Sequence, residues 1–280
     1  MKIPSGSTTI GPPPGEVGRD AYGHRPEAAG VEMEAQRQVT APTFAMARFP
    51  ITQAQWRTLA GQDHQREGDR ELNPDPSQHK GADLPVESVN WHDSQEWLKR
   101  LNRWLAGQGA ALGFGGEGEP PRLALPSESL WEVACRAGTS TPFHFGETLD
   151  PAWANYDASP NYVYPGGRAG RSLRRPAPVG TSGLVNEWGL ADLHGNVWEW
   201  CAAVWPPSSV GGPLDGSPRE EAAAAGRLKM RLLRGGSWFN EPHDCRSAYR
   251  DGYRPADLDD NVGFRVCCLP PGLPSWPSIP

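Results

Sequence analysis

Apolar positions in this chain fall into a few short periodic blocks, separated by long polar stretches rich in Gly and Pro. Phe44 to Pro50 alternates apolar with small or polar side chains, which is the period of a strand. Thr52 then stands where an N-cap would, ahead of a short predicted helix over Gln53 to Ala60 with Trp56 and Leu59 on one side. A stronger helical signal follows. Asn90 is its cap, Asp93 sits in the first turn near the positive dipole end, and Trp97, Leu98, Leu101, Trp104 and Leu105 recur at helical spacing. Lys99, Arg100 and Arg103 occupy its outer face. After the Gly-rich surface connection GQGAALGFGGEGEPP, Ser127 caps a third helix through Glu132 to Arg136, with Gly138 as its stop. Further on, only a short helix near Pro218 to Ala225 is expected, and the remainder reads as short strands and long loops.

The ends differ in texture from the middle. Residues 1–38 read as a Pro/Gly-rich N-terminal segment, 39–268 as one domain, and 269–280 as a Pro-rich tail barred from regular structure. A chain of 280 residues with 33 Gly, 30 Pro and 12 Trp implies a loop-rich fold with many large rings in or near the core. Its 27 Lys plus Arg against 33 Asp plus Glu, without a basic run, argue against a nucleic-acid partner. The N-terminus lacks an apolar signal region and no later stretch approaches the length of a membrane span, so a cytoplasmic location is the default. Five cysteines without metal-type CxxC spacing agree with a reduced compartment.

Some motifs carry their own physical logic. In GLADLHGNVWEW, Gly189 and Gly195 permit tight turns, while Trp198 and Trp200 share one face of an extended segment and Glu199 takes the other. In LLRGGSW, Gly235 and Gly236 allow a bend or a close approach. Phe264 and Val266 bracket Arg265 in the same alternating manner.

Four segments, in order, resemble the formylglycine-generating enzyme (sulfatase-modifying factor) family: FAMARFPITQAQW, LPVESVNWHDSQEWLKRL, LALPSESLWEVACRAGT, and NEWGLADLHGNVWEW followed by LLRGGSW and NVGFRV. The resemblance implies an α+β domain with a C-type lectin fold of the formylglycine-generating-enzyme subtype, loop-rich, with short strands and two or three helices. It also implies an oxygen-dependent chemistry built on two cysteines, five residues apart after the GGS motif, that hold copper. Here Asn240 and Cys245 stand at those places, and one thiolate cannot provide the two-sulfur coordination that Cu(I) favours. Catalysis and bound copper are therefore not expected, and no cofactor is required. The resemblance further places calcium-binding oxygens at Asn155, Asn196 and Glu199, although Arg168 to Arg175 (RAGRSLRR) occupies the region from which further acidic ligands would come. His194 is expected to act as a structural hydrogen-bonding group, and Cys245 as a small buried residue.

The segment from Arg231 to Cys268 is also similar to the variable region of proteins diversified by diversity-generating retroelements, in which adenine-directed copying turns Asn codons into codons for many residue types. Phe239, Asn240, His243, Asp244, Asp251, Gly252, Tyr253, Asp257, Leu258, Asp259 and Asp260 are all reachable in that way; Glu241 is not. Arg231, Arg234, Arg246, Arg250, Arg254 and Arg265 belong to the framework, whereas five of the segment's six acids fall at the exchangeable places. The expected function is non-covalent ligand binding by these eleven side chains, with Tyr253 and Phe239 as anchors and a protein surface as partner. A copper-dependent oxidase of the family and a non-variable accessory domain are the alternatives.

Overall fold

Helix α1 (Gln53–Ala60) begins where Thr52 predicts it, in a full capping box: the Thr52 hydroxyl accepts from the Gln55 N–H, and the Gln55 side chain accepts from the Thr52 N–H. Helix α2 (Trp91–Gln108) opens on the same device, Asn90 and Asp93 each accepting the other's backbone N–H. Trp97 and Leu98 of α2 are buried, and Trp97 stacks on Trp56 of α1 with ring centroids 6.2 Å apart. Helix α3 (Glu128–Arg136) is capped by Ser127 and ends at Arg136, with its C-cap Ala137 in the left-handed conformation at φ 45° and the expected stop, Gly138, following at φ 92°. The computed structural model describes residues 1–19, 34–108, 122–205, 210–219 and 230–269. Most of the Gly-rich connection, part of the helix expected near Pro218 to Ala225, and the tail beyond Leu269 lie outside the described residues.

Among the described residues, ten short strands form three sheets. In the first, β1 (Lys2–Ile3), β4 (Phe44–Met46), β10 (Cys267–Leu269) and β5 (Arg122–Ala124) lie in that order, all antiparallel. A two-stranded ribbon pairs β2 (Gly6–Ile10) with β3 (Arg37–Ala41). The third sheet has the order β8 (Arg250–Tyr253), β7 (Arg231–Arg234), β6 (Trp198–Val204) and β9 (Val262–Gly263), with β6 and β9 parallel. Trp198, Trp200 and Glu199 are all buried, so β6 is covered on both faces, consistent with its central place.

The N-terminal residues correct the expected domain boundary at 39. Strand β1 pairs with β4, and Ile3 and Ile10 are buried in the main core. Sequence periodicity could not show this, because two- and five-residue strands are too short to carry a period.

Arginines bind the loops together from inside. Arg265, fully buried, donates to both Glu199 oxygens and to the carbonyls of Ala47, Arg48, Ala191 and Asp192. Arg234 meets Glu132 at 2.6 Å and the Ser247 carbonyl at 2.9 Å, and Arg250 pairs with Glu128. Arg246 holds the N-terminal segment through Glu16, Glu34 and the Gly18 carbonyl. Each guanidinium distributes several donors over several chain segments, which suits a fold with few long elements.

Candidate ligand-binding face

Strand β7 ends at Arg234, and Gly235 and Gly236 follow with φ 96° and 72°. A side chain on Gly236 would stand 2.5 Å from the Cys245 sulfur, so glycine is required there by close approach rather than by a bend within the sheet. The loop thus turned outward carries Trp238 and Phe239. Trp238 is half-buried and anchored: its N–H donates to the Asn196 carbonyl, its Nε1–H donates to the Asp260 carbonyl at 3.3 Å, and its ring meets those of His79 and Phe239 edge-on. Phe239 projects beyond it and is 68% exposed.

Not every side chain of this loop projects. Asn240 donates its amide to Asp244 at 2.9 Å, shares a hydrogen bond with the Ser237 hydroxyl, and accepts from the Asp157 N–H through its carbonyl. Its side chain therefore braces the loop. His243 and Asp244 are half-exposed on the short 3-10 turn Pro242–Cys245, with His243 beside Glu241.

The second loop runs from Arg254 to Asn261 between β8 and β9. Arg254 and Asp257 close its first turn by an ion pair, and Leu258 at its tip is 59% exposed. Asp259 accepts from the Asp260 N–H, and its carbonyl takes the Ser88 N–H. Burial raises the Asp259 carboxyl above its ordinary value, and Asp260 and Asp257 raise it further. Asn261 donates to the Ser237 hydroxyl, so Asn261–Ser237 and Trp238–Asp260 join the two loops side by side.

Asp251, Gly252 and Tyr253 stand apart on β8, at the opposite edge of the sheet from β9. Gly252 is buried, and a side chain there would meet the Trp205 ring at 2.7 Å, which corrects its assignment as an exposed exchangeable position. Tyr253 is half-buried against the core and edge-on to Trp200, so it fills space as well as offering a rim. The structure thus brings Phe239, His243, Asp244 and Asp257 to Asp260 onto neighbouring loops, keeps Asn240 as a brace, and separates the β8 trio.

The three oxygens expected to hold calcium do not form one set. Asn155 and Asn196 bond to each other at 3.1 Å, and Asn196 also pairs with the Ala177 backbone. The Glu199 carboxylate is engaged by Arg265 and by the Trp131 Nε1–H at 2.6 Å. A buried carboxylate saturated by a guanidinium and an indole has no lone pair directed at a cation, so these residues do not fit the metal.

The thiols are equally withdrawn. All five cysteines are free and buried. Burial, followed by the neighbouring Asp244, pushes the Cys245 thiol well above its ordinary value, and Cys135 is raised to about 12. A thiol held protonated is a poor nucleophile and a poor metal ligand. His194 lies fully buried between them. Its Nδ1–H donates to the Cys245 carbonyl at 2.8 Å, leaving Nε2 to accept from the His144 N–H and, with that tautomer, from the His144 ring. Burial depresses both imidazoles, His144 to about 4 and His194 well below its ordinary value. His194 is thus a structural group, as the sequence suggests, whereas its partner His144 carried no sequence signal. The two rings line one side of a cavity of about 160 Å³ walled by Phe145, Trp153 and Leu173. The roles of Trp238, His79 and Ser88 were likewise not legible, because each depends on a contact between distant loops.

A model of the sulfatase-modifying factor enzyme 1-like domain matches residues 2–268. The inactive C-alpha-formylglycine-generating enzyme 2 of Mus musculus is 29% identical over 232 residues, which is 80% of this chain and 58% of the relative, so the chain spans little more than half the relative's length. Among solved structures, PvdO from Pseudomonas aeruginosa superposes with a TM-score of 0.70 at 28% identity, covering 96% of this chain and 93% of PvdO. Treponema denticola variable protein 1 superposes at 0.66 and 19% identity, covering 95% and 93%. That second likeness shows the fold, which is of the C-type lectin type.

Proposed function

The chain belongs to the sulfatase-modifying factor enzyme 1-like family, and from that membership we propose that it is a non-catalytic member that binds a partner through exchangeable side chains on a rigid C-type lectin scaffold. The observation that carries this reading is the state of the two positions where the family's copper thiols would stand. Asn240 is a hydrogen-bonded brace, and the Cys245 thiol is buried and held protonated. No thiol pair exists there to bind copper or to exchange electrons with oxygen. The mouse relative described as inactive is consistent with such a branch.

Recognition is then a matter of surface. The framework arginines fix the loops, and the side chains of Phe239 and Leu258 extend from them into solvent. Side chains so placed can be exchanged without disturbing the core, which is what diversification requires. A few apolar anchors rimmed by polar groups suit a protein partner.

Two measurements test the reading. The DNA beside the coding sequence should contain a reverse transcriptase gene and a near-copy of the 3′ coding segment that differs at adenines; without these, the exchange of side chains has no source. Titration with Cu(I) against a competing chelator, together with oxygen uptake on a Cys-containing peptide, should show neither tight binding nor turnover. Sub-micromolar copper affinity with peptide oxidation would instead establish an oxidase.

A further inference from the structure

We infer that the partner of this particular set of side chains presents a cationic surface with an apolar residue at its centre, seated against Phe239 and Leu258. This rests on the contact-surface reading above and goes further by naming the partner's chemistry. The apolar half of the argument is positional. Phe239 and Leu258 are among the most exposed large apolar side chains of the described residues, at 68% and 59%. They arise from two loops that the Trp238–Asp260 and Ser237–Asn261 bonds hold together. The Trp238 ring supports Phe239 edge-on at 5.7 Å, so the anchor is stiff and loses little freedom on binding.

The charged half concerns what surrounds those anchors. Glu241, Asp244, Asp257, Asp259 and Asp260 lie on the same two loops. Arg246 is buried against Glu16 and Glu34, Arg254 is spent on Asp257, and Glu241 sits beside His243, which leaves the carboxylates of Asp244, Asp259 and Asp260 as the excess. Crowding of like charge is felt within the loop, because Asp260 and Asp257 act on Asp259. An incoming Lys or Arg relieves that repulsion, whereas an acidic or phosphate-bearing surface adds to it. A rim on which carboxylates outnumber cations also steers association and makes it sensitive to salt.

The test uses the full chain and three synthetic peptides of equal length, alternating Leu with Lys, Gln or Glu, with affinity read by calorimetry. The Lys peptide is expected to bind about tenfold or more tighter than the Gln peptide and to weaken by a similar factor in high salt. Phe239→Ala should weaken it comparably, and so should the double variant Asp259→Asn with Asp260→Asn. Both variants alter exposed or half-exposed side chains, so thermal unfolding close to that of the parent chain shows that each is folded. Binding of the Gln or Glu peptide as tightly as the Lys peptide, still dependent on Phe239, overturns the cationic partner while leaving the contact surface standing. Lys-peptide binding that ignores Phe239→Ala, or no binding by any peptide, overturns both. Loss of Lys-peptide binding on adding calcium would assign the carboxylates to a metal ion and overturn the inference as well.

Discussion

Arg265 and Glu199, with β7, β8 and β9 between them in the chain and both fully enclosed, face each other with the guanidinium bonded to both carboxylate oxygens, the shortest contact being 2.7 Å. The same arginine also holds four carbonyls from two other segments, so it joins β6 to the first sheet's loops.

Removing one partner leaves a buried charge without its counterion. Arg265→Met is expected to cost about 3–5 kcal/mol of folding stability, read as a lowered midpoint in urea. Glu199→Gln with Arg265→Met should cost less than Arg265→Met alone, because the stranded carboxylate is gone. Equal losses would show that the carbonyl bonds, not the ion pair, dominate.

Phe239 and Gly252 should respond oppositely to substitution, though both stand in the segment expected to vary. Phe239→Ala removes an exposed ring and should change stability by no more than about 0.5 kcal/mol. Gly252→Ala drives a methyl into the Trp205 ring, where the nearest atom is 2.7 Å away, and should cost about 1–3 kcal/mol. Chemical denaturation of the two variants checks the contrast.

Stability should fall on mild acidification. His144 and His194 have depressed values in the folded protein, while an unperturbed histidine titrates near 6.5. Between about pH 6.5 and 4 the unfolded chain binds more protons, so their contribution is full above 6.5 and is lost as pH falls through this window. Asp192 and Glu16, whose carboxyls burial raises, act in the opposite direction toward the acid end. Unfolding free energy measured from pH 7.5 to 5 should therefore decline, and His144→Phe should flatten the slope.

The thiols should be silent toward a disulfide exchange reagent. With all five buried and their values raised, native protein should react slowly at every cysteine and release the full complement only after denaturation. Fast native reaction at one site would identify Cys245 or Cys268 as more open than it stands in the fold.

The sequence by itself determined the helices and the scaffold. Thr52, Asn90 and Ser127 mark helix starts through local hydrogen bonds, and Trp97 and Leu98 mark the buried face of α2, because caps and helical periods are short-range properties. The motif residues Trp198, Trp200, Gly236 and Arg265 likewise signalled the family and hence the fold. Only the tertiary structure decided which residues of the 231–268 segment share a surface. Strand order places β8 and β9 on opposite edges, which separates Tyr253 from Asp260 although few residues lie between them. It also decided that Asn240 and Glu199 spend their polar atoms on Asp244 and Arg265, and that Ile3 and Ile10 belong to the core. Those outcomes depend on contacts between loops far apart in the chain, and neither the period of a strand nor the spacing of a motif encodes them.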